Sequence, residues 1–264
     1  MSLILVGRRR GGFGSVQPFF ADNLAGGTAN NANGFTWGAL TGRLSVSNAA
    51  GGVNGGTHAI AVSFGPDAPD TNGAQASANI VYNLGRDVAE LWVEWHWLVP
   101  SNYVHRINAT LSNNNKFFGI WRDSINNMNG WRVVLETLRV SGGTDESIIK
   151  ATASTETTNL ADQSLVTSQF INSGGPVVKN VWTRNRVHLR GATSASANDG
   201  ILRWWAGDTL ICNVTNGDYW NQNGTYSNVR LNTGYFMGAS NSGFDDTTVF
   251  YLADFKFYDQ NPGW

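Results

Sequence analysis

Charge is scarce in this chain: only 14% of its 264 residues are Asp, Glu, Lys or Arg, and the formal net charge is −1. Near-neutrality excludes a duplex nucleic-acid binder, which needs a concentrated basic surface. The one basic run, Arg8-Arg9-Arg10, lies in a Gly-rich N-terminal stretch and reads as a solvated arm or a contact for an acidic neighbouring subunit. Cysteine is almost missing as well. With Cys212 alone there is no internal disulfide, so stability must come from the core, from assembly or from a metal, and the residue reads as a small buried apolar side chain. No run approaches the roughly 20 apolar residues that a membrane-crossing helix needs. The charges at the N-terminus follow a very short apolar run, the reverse of a secretory signal. Neither nucleic acid nor membrane is expected as a partner.

What the chain has instead is 31 Gly, 11 Trp and 12% aromatic residues, a composition of short strands, tight turns and large rings. The strongest strand signal is 90–99. There Leu91, Val93, Trp95 and Trp97 fall on one face, and Trp92, Glu94, His96 and Leu98 fall on the other. Large rings on both faces mark a central strand. Further strands are expected at 106–111, 116–122, 131–140, 147–153, 182–190, 200–205, 209–213, 234–239 and 248–259, separated by Asn- and Gly-rich turns such as Asn113-Asn114-Asn115 and Asn198-Asp199-Gly200. Only 155–172 offers a candidate helix, and there is no internal repeat. Many short strands without a helical period spell an all-β sandwich or barrel. Residues 1–35, with Gly11-Gly12, Gly26-Gly27 and Asn30-Asn31, read as an extended Gly-rich arm, and 36–264 as one β-sandwich domain.

The segment 182–211 runs from Trp182 through alternating Arg186, His188 and Arg190 to Asn198-Asp199-Gly200, then Ile201 to Trp205 and Gly207-Asp208. This resembles a hairpin pair of concanavalin A-like jelly rolls, the lectin and glucanase superfamily, and of polysaccharide lyases in particular. The tail Phe250 to Tyr258, with Asp254 between apolar neighbours, looks like their closing strand, and 90–116 fits as well. The resemblance spans roughly residues 60–260. It implies a two-sheet antiparallel jelly roll whose outer concave face takes sugars. It also implies a structural calcium ion held by Asp254 with loop carbonyls, although no other cofactor is required.

Strand alternation sorts the polar candidates. Arg186, His188 and Arg190 share one strand face, Glu94 and His96 another, Arg132 and Glu136 a third, and Arg203 and Trp205 a fourth. If these faces coincide, Arg132, Arg186 and Arg203 would pair the carboxylates of an anionic polysaccharide, beside Glu94, and Trp92 and Trp205 would stack on its rings. A lyase further needs a base, for which His188 and His96 are candidates. A charge neutraliser is also required, from Arg190 or Lys116, and an acid, from Tyr235 or Tyr103. The bland alternative makes these residues cross-strand salt bridges on a solvated sheet. No Glu-x-Asp-x-x-Glu run is present, which disfavours a retaining hydrolase. Four His and one Cys lack the close spacing of a zinc site.

Two roles follow as expectations. The first is a non-enzymatic virion surface protein, a phage capsid-decoration, fibre or tail-associated module that binds glycan, sister copies in a homo-oligomer, or other virion subunits, and works on the particle surface or outside cells. The second is a polysaccharide lyase that cleaves uronate polymers by β-elimination.

Overall fold

The computed structural model describes residues 15–66, 78–103, 114–121, 130–139, 147–156, 169–194, 196–217, 230–238, 240, 243–244 and 246–264. Among them there is no α-helix, and the strands, numbered in chain order, form two antiparallel sheets stacked as a sandwich. Sheet I runs β13 (Thr209–Gly217), β12 (Gly200–Ala206), β11 (Trp182–Arg190), β6 (Glu90–Leu98), β15 (Thr248–Tyr258), β4 (Ala59–Phe64), β3 (Leu44–Ser47), with β1 (Phe20–Asp22) also paired to β15. Sheet II runs β10 (Gln169–Pro176), β9 (Ser147–Glu156), β8 (Gly130–Arg139), β7 (Asn114–Trp121), β14 (Leu231–Phe236), β5 (Ile80–Val88), β2 (Thr36–Trp37).

Period-two alternation drives this packing. Leu91, Val93, Trp95 and Trp97 of β6 point into the core and are buried to 3% exposure or less. Trp95 stacks on Phe118 of the opposite sheet at 5.2 Å, and Trp97 meets Phe117 at 4.7 Å. Ring-on-ring contact between the layers thus supplies the cohesion that disulfides cannot. Cys212 lies in the same core, and burial pushes its thiol up to about 12.

Two expectations need correction. Residues 15–35 are not an arm: Phe20 and Phe35 stack at 3.6 Å inside the core, Leu24 is fully buried, and Asp22 accepts hydrogen bonds from the backbone of Leu24 and Asn30. The Gly and Asn pairs of this stretch are turns between buried anchors. The Arg8-Arg9-Arg10 run lies outside the described residues. The candidate helix at 155–172 has strand at both ends, Thr155 and Glu156 in β9 and 169–172 in β10, and 157–168 lie outside the described residues. The strand expected at 106–111 also falls outside them, and the one expected at 234–239 begins three residues earlier, at Leu231.

Candidate functional site

The outward residues of the two sheets make two separate faces with the core between them. Facing sheets pack about 10 Å apart, so groups on opposite outer faces cannot act on one substrate atom. Sheet I carries Trp92, Glu94, His96, Arg186, His188, Arg190, Arg203, Trp205 and Asp254, whereas Lys116, Arg132 and Tyr235 belong to sheet II. The faces therefore do not coincide as the sequence reading required: a histidine base on β6 or β11 cannot serve a reaction in which Tyr235 or Lys116 takes part.

On sheet I the register aligns Glu94, Arg186 and Trp205 in one row across β6, β11 and β12, and Trp92, His188 and Arg203 in the next. His188 stacks flat on Trp92 at 4.4 Å, and its Nε2 lies 2.7 Å from Glu90 Oε1. Burial lowers the His188 pKa, against the pull of Glu90. Burial likewise lowers that of His96, against Asp254 and Glu94. Lys256 donates to both Glu94 and Asp254 at 2.9 Å; burial works against its charge, but these two bonds outweigh it and raise its pKa. Arg184 and Arg186 both reach Asp208, at 2.5 and 3.3 Å. Arg186 also caps Trp205 and Trp264, whose rings meet at 5.3 Å nearly at right angles.

Asp254 sits at a β-bulge, where the β15–β6 register shifts between Ala253 and Lys256, and takes a φ of 52°. The extra residue keeps Phe255 in the core and turns the Asp254 carboxylate outward. There its Oδ2 accepts from Lys256 and from Asn54 at 2.5 Å, with His96 Nδ1 3.6 Å away. An ammonium and an amide N–H directed at this oxygen are not calcium ligands. Among the described residues no group of three or more His, Cys, Asp or Glu side chains is placed to hold a metal ion. As placed, this donor set does not fit the calcium expected at Asp254.

The outer face of sheet II is organised by glycines. Tyr235 of β14 lies opposite Gly119 of β7, and a Cβ on Gly119 would stand 2.7 Å from the Tyr235 ring, so the glycine lets the phenol lie flat across β7. Gly238 does the same on the other side: a Cβ there would stand 2.9 Å from both Lys116 Cβ and the Tyr235 ring. Lys116 and Tyr235 thus border one bare α-carbon. Trp121 completes the group, with its ring 5.2 Å from Tyr235 and its buried indole N–H without an acceptor among the described residues. The β7–β8–β9 register sets Lys116 opposite Glu136 and Glu136 opposite Lys150, with Arg132 four residues before Glu136 on β8. Tyr103 is not part of either face; it is buried at the end of the sandwich and accepts a hydrogen bond from Asn115 at 2.8 Å.

Some of these partners were legible. Glu90 and Lys256 are an even number of residues from Glu94 and Asp254, so alternation alone places each pair on a shared face. Gly119 and Gly238, glycines within or beside strands, signalled a close approach. Trp264 had no such signal because it follows the last strand without periodicity.

No family model matches the chain, and no curated protein matches it in sequence. Solved structures do match in fold. An alginate lyase, vAL-1 from Chlorella virus, aligns with a TM-score of 0.60 at 9% identity over 92% of this chain and 99% of its own. An endo-β-1,4-glucuronan lyase from the fungus Trichoderma reesei gives 0.56 at 12% identity over 94% and 99%. The alginate lyase Aly36B, solved with alginate tetrasaccharide as a variant in which a lysine and a tyrosine are replaced by alanine, gives 0.51 at 11% identity over 81% and 84%. At such identities the likeness shows a shared fold, and that fold is the jelly-roll β-sandwich of polysaccharide lyases.

Proposed function

We propose that this protein is a polysaccharide lyase acting on uronate-containing polymers, with its site on the outer face of sheet II. The observation that carries the reading is the alignment over nearly whole chains with lyases of two uronate polymers, alginate and glucuronan. The lysine and tyrosine replaced in the substrate-bound Aly36B variant support the choice of face, because Lys116 and Tyr235 meet there over Gly238. All three neighbours are lyases, and they favour the lyase expectation over the virion one.

In β-elimination the C–H bond next to the uronate carboxylate breaks, a C=C bond forms, and the glycosidic C–O bond on the neighbouring carbon breaks. Tyr235 Oη, as phenolate, takes the proton and returns it to the leaving glycosidic oxygen, which restores the starting state. The Lys116 ammonium neutralises the charge that builds on the carboxylate. The test is incubation with alginate, glucuronan and related uronate polymers while recording the absorbance of the unsaturated product. A rise that Tyr235→Phe abolishes supports the reading, and silence across the panel removes it.

A second reading, glycan binding without cleavage, is favoured by one observation: the histidines and most of the cations of sheet I are engaged in pairs with each other and with Glu90, Glu94, Asp208 and Asp254. It predicts retention on the same polymers with no product.

A further inference from the structure

We propose that the groove at the edge of the sandwich between β2 and β3 is a subsite for an uncharged sugar of the polymer, so that the substrate mixes neutral sugars with uronates. The inference rests on the proposed function and adds to it the composition of the chain that is cleaved. The groove has a volume of about 340 Å³, within the range of ligand clefts, and its walls include Thr28, Ala29, Asn31, Trp37, Leu40 and Val46. No residue that lines it carries a charge. The apolar walls suit the faces of a sugar ring, and the hydroxyl of Thr28 and the amide of Asn31 suit its hydroxyl groups.

Register connects the groove to Tyr235. Gly119, Tyr235 and Val81 stand side by side across β7, β14 and β5. Gly38, which also lines the groove, donates its N–H to the Val81 carbonyl at 2.8 Å, and a Cβ on it would stand 3.3 Å from the Val81 Cβ. Val81 is 44% exposed and forms the apolar step between the phenol and the groove. From Tyr235 to Gly38 is thus two strand spacings, about 10 Å. A polymer with one uronate over Tyr235 and Lys116 reaches the groove with a nearby sugar. The groove's floor decides which sugar that is. Trp37 donates its indole N–H to Asp22 Oδ2 at 3.2 Å, and the same carboxylate accepts from the backbone of Leu24 and Asn30. Asp22 is 4% exposed and enters no ion pair among the described residues, so only neutral donors hold its charge. A uronate in the groove would lie one indole away from that carboxylate, with no cation in the lining to offset the repulsion. A neutral sugar meets no such cost.

The test compares glucuronan and alginate, each as the native polymer and with part of its carboxylates reduced to hydroxymethyl groups, by the absorbance of the unsaturated product. Reduction removes cleavable uronates, yet kcat/KM of the full chain should rise about fivefold, chiefly through a lower KM, as the repulsion at the groove is lifted. Thr28 is exposed on the groove wall and takes charge changes without loss of core. Thr28→Lys should offset Asp22 and bring the two forms of each polymer level, whereas Thr28→Glu should widen the gap. Thr209→Lys, exposed on β13 at the opposite edge of sheet I, should leave the preference as it is in the parent protein. Thermal midpoints check that all three variants fold. Equal rates on native and reduced polymers overturn the proposal and leave the lyase reading standing, as does a Thr209→Lys that acts like Thr28→Lys. No product from any polymer removes both.

Discussion

The two outer faces of the sandwich use the same strand alternation and spend their polar residues differently. On sheet I, Glu94, Asp254, Lys256, His188 and Glu90 are locked to one another, and the face is crowded enough that Glu94 and Asp254 are 8% and 3% exposed. On sheet II the described centre holds a lysine, a tyrosine and a tryptophan drawn together over bare glycine backbone. A paired face resists reorganisation, because each charge already has its partner. Buried donors without an acceptor among the described residues occur on both faces, Trp121 on sheet II and Arg186 and Arg190 on sheet I.

A change in the shared core should strike both faces alike. Trp95→Ala, removing a fully buried ring that touches Phe118 and Phe236, is expected to cost about 3–5 kcal/mol. Denaturant titration reads it directly, and a loss under 1 kcal/mol would mean that the two sheets do not depend on this contact. Deleting residues 1–30 should be at least as damaging, since it removes Phe20 and Leu24 from the core.

Next comes a change that should separate the faces. Tyr235→Phe keeps the ring over Gly119 and removes only the hydroxyl, so the fold should be kept while the cleavage rate falls by about a hundredfold or more. His188→Gln, on the other face, should leave that rate within a factor of about two. Reversed outcomes would move the chemistry to sheet I. Glu94→Ala is the converse, expected to cost about 1–3 kcal/mol through a Lys256 left with one partner, with cleavage unchanged.

Much of this was visible in the chain before any coordinates. The strand at 90–98 and the hairpin Trp182–Arg190 with Gly200–Ala206 follow from alternation, because a side chain's face is fixed locally. What alternation cannot say is which of two outsides a residue reaches, since that depends on the sheet its strand joins. Arg186 and Arg132 read alike in sequence, yet one lies in sheet I and the other in sheet II. The stretch around Phe20 and Phe35 was misread because its anchors are single rings among Gly and Asn, too sparse to make a period. The strand Ile80–Val88 escaped notice for a related reason: Ile80, Tyr82 and Leu84 supply the buried side, but exposed Arg86 stands where the alternation calls for the next buried residue.

The smallest effect, and the one most particular to sheet I, lies in the pH dependence of stability. His96 and His188 both titrate below their ordinary value of about 6.5, chiefly because burial disfavours the cation. In the unfolded chain they take up protons as the pH drops through that value, while in the folded chain they stay neutral. The unfolded state then binds more protons, so stability is full above about pH 6.5 and declines as the solution is acidified toward the folded values. Lys256 works at the other end: its raised pKa means that its contribution is present below the ordinary lysine value and is lost as the pH climbs through the folded one. His188→Gln, whose amide can still donate to Glu90, should flatten the acid limb in part and leave the alkaline limb alone. Urea midpoints measured across pH would show it. An acid limb as steep as in the parent protein would place the proton uptake elsewhere and weaken the picture of sheet I as a face held rigid by its own pairs.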